Sequence, residues 1–143
     1  MPEKETLERA RQDKREGKAP STQAGEFVRE EIEHIREGKH GARSTKQAIA
    51  IGLSKARRAG VELPPSESSS EETKEQAKRD LRKAGKKTKS SKRARATRKA
   101  LKREGRTAAS KEALSRQARA AARKRSKASR SRSAKKAAAT RKK

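Results

Sequence analysis

Large apolar side chains are scarce in this sequence and lie close together. Leucine, isoleucine, valine and phenylalanine supply only 13 of the 143 residues, and nine of these fall between Phe27 and Leu63. Such a content is well below the roughly 20% under which a highly charged chain is expected to be disordered. Any hydrophobic core is therefore small and confined to this segment, because the other four leucines are separated by tens of residues.

The charges are distributed as unevenly as the apolar residues. The formal net charge is +26, and residues 81–143 carry 27 basic against two acidic groups, whereas residues 1–65 carry 14 basic and 11 acidic groups. Repulsion among the cations opposes compaction unless a polyanion supplies counter-charge. The sequence therefore predicts an acidic partner, bound by a basic arm at the C-terminus.

Several classes of protein do not fit this composition. Cysteine is absent, no apolar run is long enough to span a membrane, and no signal-peptide pattern follows Met1. We therefore expect a soluble cytoplasmic protein that has no membrane partner. We also expect no small-molecule substrate, no cofactor and no enzymatic activity, because the core is too small to enclose a catalytic pocket.

The most complete helix signal runs from Ser44 to Gly60. Ser44 and Gln47 have the spacing of a capping box, and Gly60 stands where a left-handed C-cap residue belongs. The apolar face of this helix has the spacing i, i+4 and i+7 and consists of Ile49, Leu53 and Ala56. This face requires a partner element.

The preceding helix, predicted from Ser21 to Glu37, can supply that partner. Its apolar stripe consists of Val28, Ile32 and Ile35, flanked by Phe27. A short basic turn joins the two helices and allows them to fold back on each other. We therefore predict a helical hairpin over residues 21–65, closed by the segment from Val61 to Pro65.

The other segments are predicted to contribute little to the core. Residues 1–20 form a solvated helix, residues 66–85 a Ser/Glu linker with a short helix, and residues 86–143 a basic Ala/Lys/Arg-rich arm. Like charges oppose helix formation in the free arm, so we expect residues 91–104 and 110–124 to become helical only on an anionic surface. The predicted fold class is all-α: a short helical hairpin, flanking solvated helices and a largely disordered basic tail.

The basic residues predict binding to nucleic acid through its phosphates. Counterion release requires only cations, whereas recognition of single strands usually requires stacking rings, and Phe27 is already assigned to the core. We therefore expect double-stranded DNA as the target, with structured RNA as the alternative. The candidate contact residues are the cations of the hairpin and of the arm: Lys39, Arg43, Lys46, Lys55, Arg57, Arg58, Lys86, Lys87, Lys89, Lys92, Arg93, Arg95, Arg98, Lys99, Lys102, Arg103, Arg106, Arg116, Arg119, Arg123, Lys124, Arg125, Lys127, Arg130, Arg132, Lys135, Lys136, Arg141, Lys142 and Lys143.

Four further features have an ordinary explanation beside a functional one. The Gly38–Gly41 turn matches the GxxG loop of KH domains, but no strand pattern accompanies it. Glu30, His34, Glu37 and His40 could be drawn as a metal site, yet their spacing is typical of a solvated helix face, and we predict no metal. Ile51 points away from the apolar stripe; it is either a solvent-exposed or loop-covered side chain, or a contact for weak self-association or for a third helix. The segment Ser66–Glu72 is either a polar spacer or a phosphorylation site.

Two resemblances rest on these residues. Residues 26–65, with the core Ser-Thr-Lys-Gln-Ala-Ile-Ala-Ile-Gly-Leu-Ser-Lys-Ala-Arg-Arg-Ala-Gly, resemble a small family of uncharacterised bacterial domains, which implies a bacterial origin and a helical hairpin but no established activity. The arm resembles the Ala/Lys/Arg-rich tails of bacterial histone-H1-like proteins.

These observations lead to three functional hypotheses. The first is a non-enzymatic, nucleoid-associated protein that binds DNA by phosphate neutralisation, largely without sequence preference. The second is an RNA- or ribosome-associated protein. The third is a protein-interaction hairpin whose basic tail serves as a targeting signal, and deletion of residues 86–143 would then leave the partner bound.

Overall fold

The computed structural model describes residues 2–65, 69–84 and 91–142. These residues form seven α-helices and no strand, so the all-α prediction is confirmed for the part of the chain described. The helices are α1 (Lys4–Arg15), α2 (Pro20–Arg36), α3 (Thr45–Arg58), α4 (Glu71–Arg82), α5 (Ser91–Lys102), α6 (Lys111–Arg123) and α7 (Lys127–Arg141), with a 3₁₀ turn at Thr107–Ala109. Within these ranges, none of the helices combines the length and the apolar character that crossing a membrane requires.

Helix ends are set by local sequence signals. The Ser44 hydroxyl accepts a hydrogen bond from the Gln47 backbone N–H at 3.1 Å, which confirms the predicted start of α3. Gly60 has φ +104°, as predicted for the residue that ends this helix. Serine caps of the same kind begin α4, α6 and α7; they are Ser70, Ser110 and Ser126.

Helices α2 and α3 pack against each other as the predicted hairpin. The residues that α3 buries are Thr45, Ala48, Gly52, Ala56 and Arg57. The predicted stripe was therefore correct at Ala56, whereas Ile49 and Leu53 are only half-buried. Small residues occupy the interface because the two backbones approach closely, and a β-branched side chain there would hold them apart.

Two apolar clusters lie on the hairpin. The cluster that we call the arm-side cluster contains Ile32, Ile35, Ala42, Ala48, Ala108 and Ala109, with Val28 and Leu114 packed against it. The second, the N-terminal cluster, contains Ala10, Ala24, Phe27, Ala56 and Val61, with Leu7, Leu53 and Leu63 at its edge. Each cluster recruits residues from outside the segment 21–65.

Helix α1 is part of the fold, which corrects the expectation of a solvated N-terminal helix. Thr6 and Ala10 are almost fully buried against α2, and Arg9 forms an ion pair with Glu26 at 3.0 Å. The physical reason is that Ala10 packs in the same apolar cluster as Phe27 and Ala24 of α2, and this contact removes apolar surface from water.

Part of the basic arm also belongs to the fold. The prediction of a largely disordered arm is therefore not confirmed for the described residues 91–142, which form helices. The backbone N–H groups of Gly41 and Ala42 donate to the carbonyl oxygens of Leu101 at 2.8 Å and Gly105 at 3.1 Å. The Thr45 hydroxyl donates to the Ala108 carbonyl at 2.6 Å. Docking is favourable here because Ala108, Ala109 and Leu114 cover apolar surface that the hairpin cannot bury by itself.

Helix α4 packs on α3 through a charged residue. Ala77 is buried, and Asp80 is fully buried beside it. The Asp80 carboxylate accepts hydrogen bonds from the Ser54 hydroxyl, from Arg58 Nε at 3.1 Å and from Gln76 Nε2 at 3.2 Å. This carboxylate therefore fixes α4 against the second half of α3.

Candidate nucleic-acid interface

The structure divides the candidate contact residues into paired and unpaired cations. Most cations of the hairpin have a carboxylate partner within the chain. Lys39 lies 3.3 Å from Glu37, whose carboxylate raises the pKa of the lysine ammonium, and Lys39 also contacts Glu3. The remaining pairs are Lys55 with Glu31, Arg58 with Asp80 and, at 3.9 Å, Arg43 with Glu104. These side chains already neutralise acidic groups of the fold.

Arg57 is held inside the fold. It is 8% exposed, and its Nε donates to the Leu63 carbonyl oxygen at 2.9 Å, which ties the segment after α3 to the hairpin. Burial lowers the pKa of the guanidinium, and the charge of Asp80 acts in the opposite direction. Its position is that of a structural residue, since little of the guanidinium remains accessible to a phosphate.

Helix α5 presents the most regular array of unpaired cations. Arg95, Arg98, Lys99 and Lys102 have the spacing i, i+3, i+4 and i+7, so they share one face over about 10 Å of helix. We call this face the α5 stripe. Together with Arg103 these residues line a shallow surface depression of about 340 Å³. Within ranges 2–65, 69–84 and 91–142, no carboxylate lies within ion-pair distance of any of the five.

A second basic surface lies where α6 crosses the start of α3. A shallow groove of about 320 Å³ is lined by Ser44, Thr45, Lys46, Ala113, Arg116, Gln117 and Ala120. Lys46 and Arg116 are exposed there, and the N-terminus of α3 adds the positive end of its macrodipole. The structure thus brings together two candidate residues that are 70 positions apart.

The other arm cations differ in how they are placed. Arg106 lies over Gly38 at the C-terminal end of α2, where the macrodipole favours a cation. Arg125 donates to Ser129 and Ser133. The remaining candidate cations of the described arm are exposed; they are Lys92, Arg93, Arg119, Arg123, Lys124, Lys127, Arg130, Arg132, Lys135, Lys136, Arg141 and Lys142. No residue of α7 is buried.

Some predictions fall on residues outside the described ranges. These are the candidate contacts Lys86, Lys87, Lys89 and Lys143, and the start of the proposed modification segment at residues 66–68.

Sequence reasoning missed the carboxylate partners of the hairpin cations. Apart from Lys39 with Glu37, which is two positions away, the pairs join residues 22 to 61 positions apart, so no helical spacing indicates them. The only local signal was the near balance of 14 basic and 11 acidic groups in residues 1–65, against the excess of cations in the arm.

The fold and the surface together define a small all-α protein with an ion-paired helical hairpin and a cation-rich helical arm. Residues 5–67 match the model of a family of unknown function, DUF6496, so the part that contains α1, α2 and α3 is similar to that uncharacterised small domain. The match includes α1, which the predicted hairpin boundary left out. No curated protein and no solved structure matches the chain.

Proposed function

We propose that the protein is a non-enzymatic, nucleoid-associated DNA-binding protein whose basic arm neutralises phosphates largely without reading the base sequence. The proposal assigns different roles to the two halves of the chain. The hairpin is the folded support, and α5, α6 and α7 carry the cations that contact the polyanion.

The observation that carries this proposal is the contrast between paired and unpaired cations. A lysine or arginine that already neutralises a buried carboxylate gains little from a phosphate, because the internal pair would have to break. Among the residues that the structure describes, the α5 stripe has no such pair, so phosphates can replace its counterions directly. This assigns the main binding energy to the arm rather than to Lys55 or Arg58, whose partners Glu31 and Asp80 are buried.

Duplex DNA is favoured as the target by the position of the one aromatic residue. Phe27 is 1% exposed, and the chain has no tyrosine or tryptophan. Base stacking on aromatic rings, which supplies much of the affinity for single strands, therefore has no candidate residue. Cations on exposed helices suit a regular phosphate backbone, and structured RNA presents a similar array of charges.

The anchoring of the arm supports a defined presentation of the α5 stripe. Hydrogen bonds from Gly41 and Ala42 hold the end of α5 and the following turn against the α2–α3 loop. The groove that contains Lys46 and Arg116 places one cation of the hairpin, Lys46, beside the cations of the arm. The charges are thus partly fixed before binding, which reduces the ordering entropy that binding has to overcome.

The test compares two variants of equal net charge. In the stripe variant, Arg95, Arg98, Lys99 and Lys102 are replaced by Gln. In the control variant, the exposed α1 cations Lys4, Arg11, Lys14 and Arg15 are replaced by Gln. The affinity of each full-length protein for a fluorescent DNA duplex is measured by anisotropy over a range of salt concentrations.

We expect the stripe variant to lose affinity and to reduce the slope of log affinity against log salt by about 3 to 4, since each phosphate contact contributes about 0.9. The control variant should keep a slope within about one of the wild type. Equal losses in the two variants would show that only net charge matters and would contradict the assignment to α5. Stronger competition by structured RNA than by duplex DNA at equal phosphate concentration would favour the RNA alternative.

A further inference from the structure

Both histidines of the chain lie in one cluster of carboxylates beside the hairpin. His34 is on α2 and His40 is in the α2–α3 loop, and their ring centroids are 6.1 Å apart. Each ring faces a carboxylate: His34 Nε2 lies 3.0 Å from Glu3 Oε1, and His40 Nε2 lies 3.1 Å from Glu31 Oε2. The cluster therefore joins the residues before α1, the middle of α2 and the loop after it.

The donor atoms are close enough to share one ion. One ligand atom each from Glu31, His34 and His40 lie within 4.8 Å of one another, and the same holds for Glu3, Glu30 and His34. Two ligands about 2.1 Å from a tetrahedral zinc ion are about 3.4 Å apart, which is near the observed separations of the His and Glu atoms. His34 belongs to both groups, so a further carboxylate, from Glu3 or Glu30, lies on the His34 side of the first group.

The cluster also has the outer contacts that orient metal ligands. His40 Nδ1 and the Gly41 carbonyl oxygen are 2.9 Å apart; donation of this N–H leaves the Nε2 lone pair directed at the carboxylate. Glu31 is 1% exposed and uses its two oxygens differently, since Oε1 accepts from Lys55 and Oε2 faces His40. The Lys55 ammonium thus fixes the Glu31 carboxylate, and the Gly41 carbonyl favours the tautomer of His40 that carries its proton on Nδ1.

A buried carboxylate in the cluster lacks a cation. Glu30 is 2% exposed; its Oε1 accepts from the Glu3 backbone N–H, and its Oε2 has no hydrogen-bond partner. No basic side chain in the described ranges lies within ion-pair distance of it. A buried carboxylate normally has a cationic partner or coordinates a metal. The missing positive charge is an observation independent of the two histidines.

We propose that this cluster binds one divalent transition metal ion, of the Zn²⁺ type, through His34, His40 and Glu31, with Glu3 or Glu30 as the fourth ligand. Imidazole and carboxylate donors in a small, half-buried site suit Zn²⁺, while the absence of cysteine excludes a thiolate site. The ion joins the residues before α1 to α2 and to the loop that contacts the arm. It acts as a structural staple, separate from the DNA-binding stripe.

From helical spacing alone, Glu30, His34, Glu37 and His40 were predicted to form a solvated face. The structure instead pairs Glu37 with Lys39 and brings in Glu3 and Glu31. Glu3 reaches His34, and His40 reaches Glu31, only through the tertiary fold. The sequence therefore could not indicate these contacts.

The test is a titration of the full-length protein with Zn²⁺ in competition with a chromophoric chelator. We expect one ion per chain, and at least about a tenfold loss of affinity in His34→Gln and in His40→Gln. Glu33→Gln is the matched control, because Glu33 is on the same helix but pairs with Arg29 on the outer face, and its affinity should stay within about twofold. The melting temperature of the wild type should rise with Zn²⁺, while that of His40→Gln should not.

Two results would overturn the proposal. One is a wild-type protein that binds no stoichiometric Zn²⁺, and the other is a His34→Gln/His40→Gln double variant that binds as tightly as the wild type. If a variant loses its helical circular dichroism, the wild type alone decides the question by NMR of its histidine rings. Both imidazole ¹⁵N signals should shift in proportion to one equivalent of Zn²⁺, and unchanged signals would exclude the site.

Discussion

At the scale of single residues, Gly52 decides how closely the two hairpin helices approach. A Cβ at this position would lie 2.7 Å from Val28 Cα and 2.9 Å from Val28 Cγ2, so α2 and α3 would have to separate. We expect Gly52→Ala to lower the free energy of unfolding by about 1 to 3 kcal/mol, even though alanine favours helix. Urea denaturation followed by circular dichroism measures the change.

Gly25 on α2 provides the matched control for Gly52. Like Gly52, Gly25 is inside a helix. Unlike Gly52 it is exposed, and a Cβ there would meet no atom within 4 Å. Gly25→Ala should therefore raise the free energy of unfolding by about 0.5 to 1 kcal/mol through helix propensity alone. If both glycine variants were stabilised equally, the close contact between α2 and α3 would be wrong.

At the scale of elements, Gly41 connects the arm to the hairpin. A Cβ here would lie 2.0 Å from the Glu104 carbonyl oxygen, which is backbone and cannot rotate away. In Gly41→Ala we expect the Ala42 amide, which donates to the Gly105 carbonyl, to exchange its hydrogen at least about tenfold faster. In the control Gly105→Ala, on the other side of the same contact, a Cβ meets open space, and the exchange rate should be nearly unchanged.

Helix α4 depends on Asp80 for its attachment to α3. Removing the buried carboxylate in Asp80→Ala leaves the Ser54 hydroxyl and the Arg58 guanidinium without their acceptor. We expect amide protection to be lost throughout α4, and stability to fall by about 1 to 3 kcal/mol. Glu75→Ala, which removes an exposed carboxylate paired only with Arg79 on the same helix, should leave protection intact. Equal protection in the two variants would show that Asp80 does not hold α4.

Local features of these elements could be predicted from the sequence, and tertiary ones could not. The start and end of α3 were predicted because a serine cap and a left-handed glycine act within one helical turn. The face of α3 that meets α2 was not predicted correctly. Ala48 and Ile49 are adjacent in the sequence, and which of them points at α2 depends on how closely the two backbones approach. Nothing in the sequence indicated that Ala108 and Ala109 pack on the hairpin, because alanine is common throughout the basic arm.

At the scale of the whole molecule, the scarcity of large apolar residues did not prevent folding beyond the hairpin. Eight of the 12 buried apolar residues in the described ranges are alanines, which composition rules based on large side chains do not count. Burying alanine costs no side-chain entropy and allows close helix packing. The cation-rich helices α5 and α7, in contrast, bury none of their residues.

The position of the arm-side cluster therefore predicts two different effects of truncation. A protein ending at Lys124 keeps Ala108, Ala109 and Leu114, and loses nine Lys or Arg residues that follow. We expect its free energy of unfolding to stay within about 0.5 kcal/mol of the full chain, while the salt dependence of DNA binding becomes shallower by up to about 8.

A protein ending at Ala84 loses both the cations and the cover of the cluster. Ile32 and Ile35 become exposed in this shorter protein, and its free energy of unfolding should fall by about 2 to 4 kcal/mol. Deleting the whole arm thus confounds binding with folding, whereas the cut at Lys124 separates them. Thermal and urea denaturation of both fragments, beside the same DNA titrations, measure the two effects. Equal stabilities of the two fragments would mean that the arm does not complete the core.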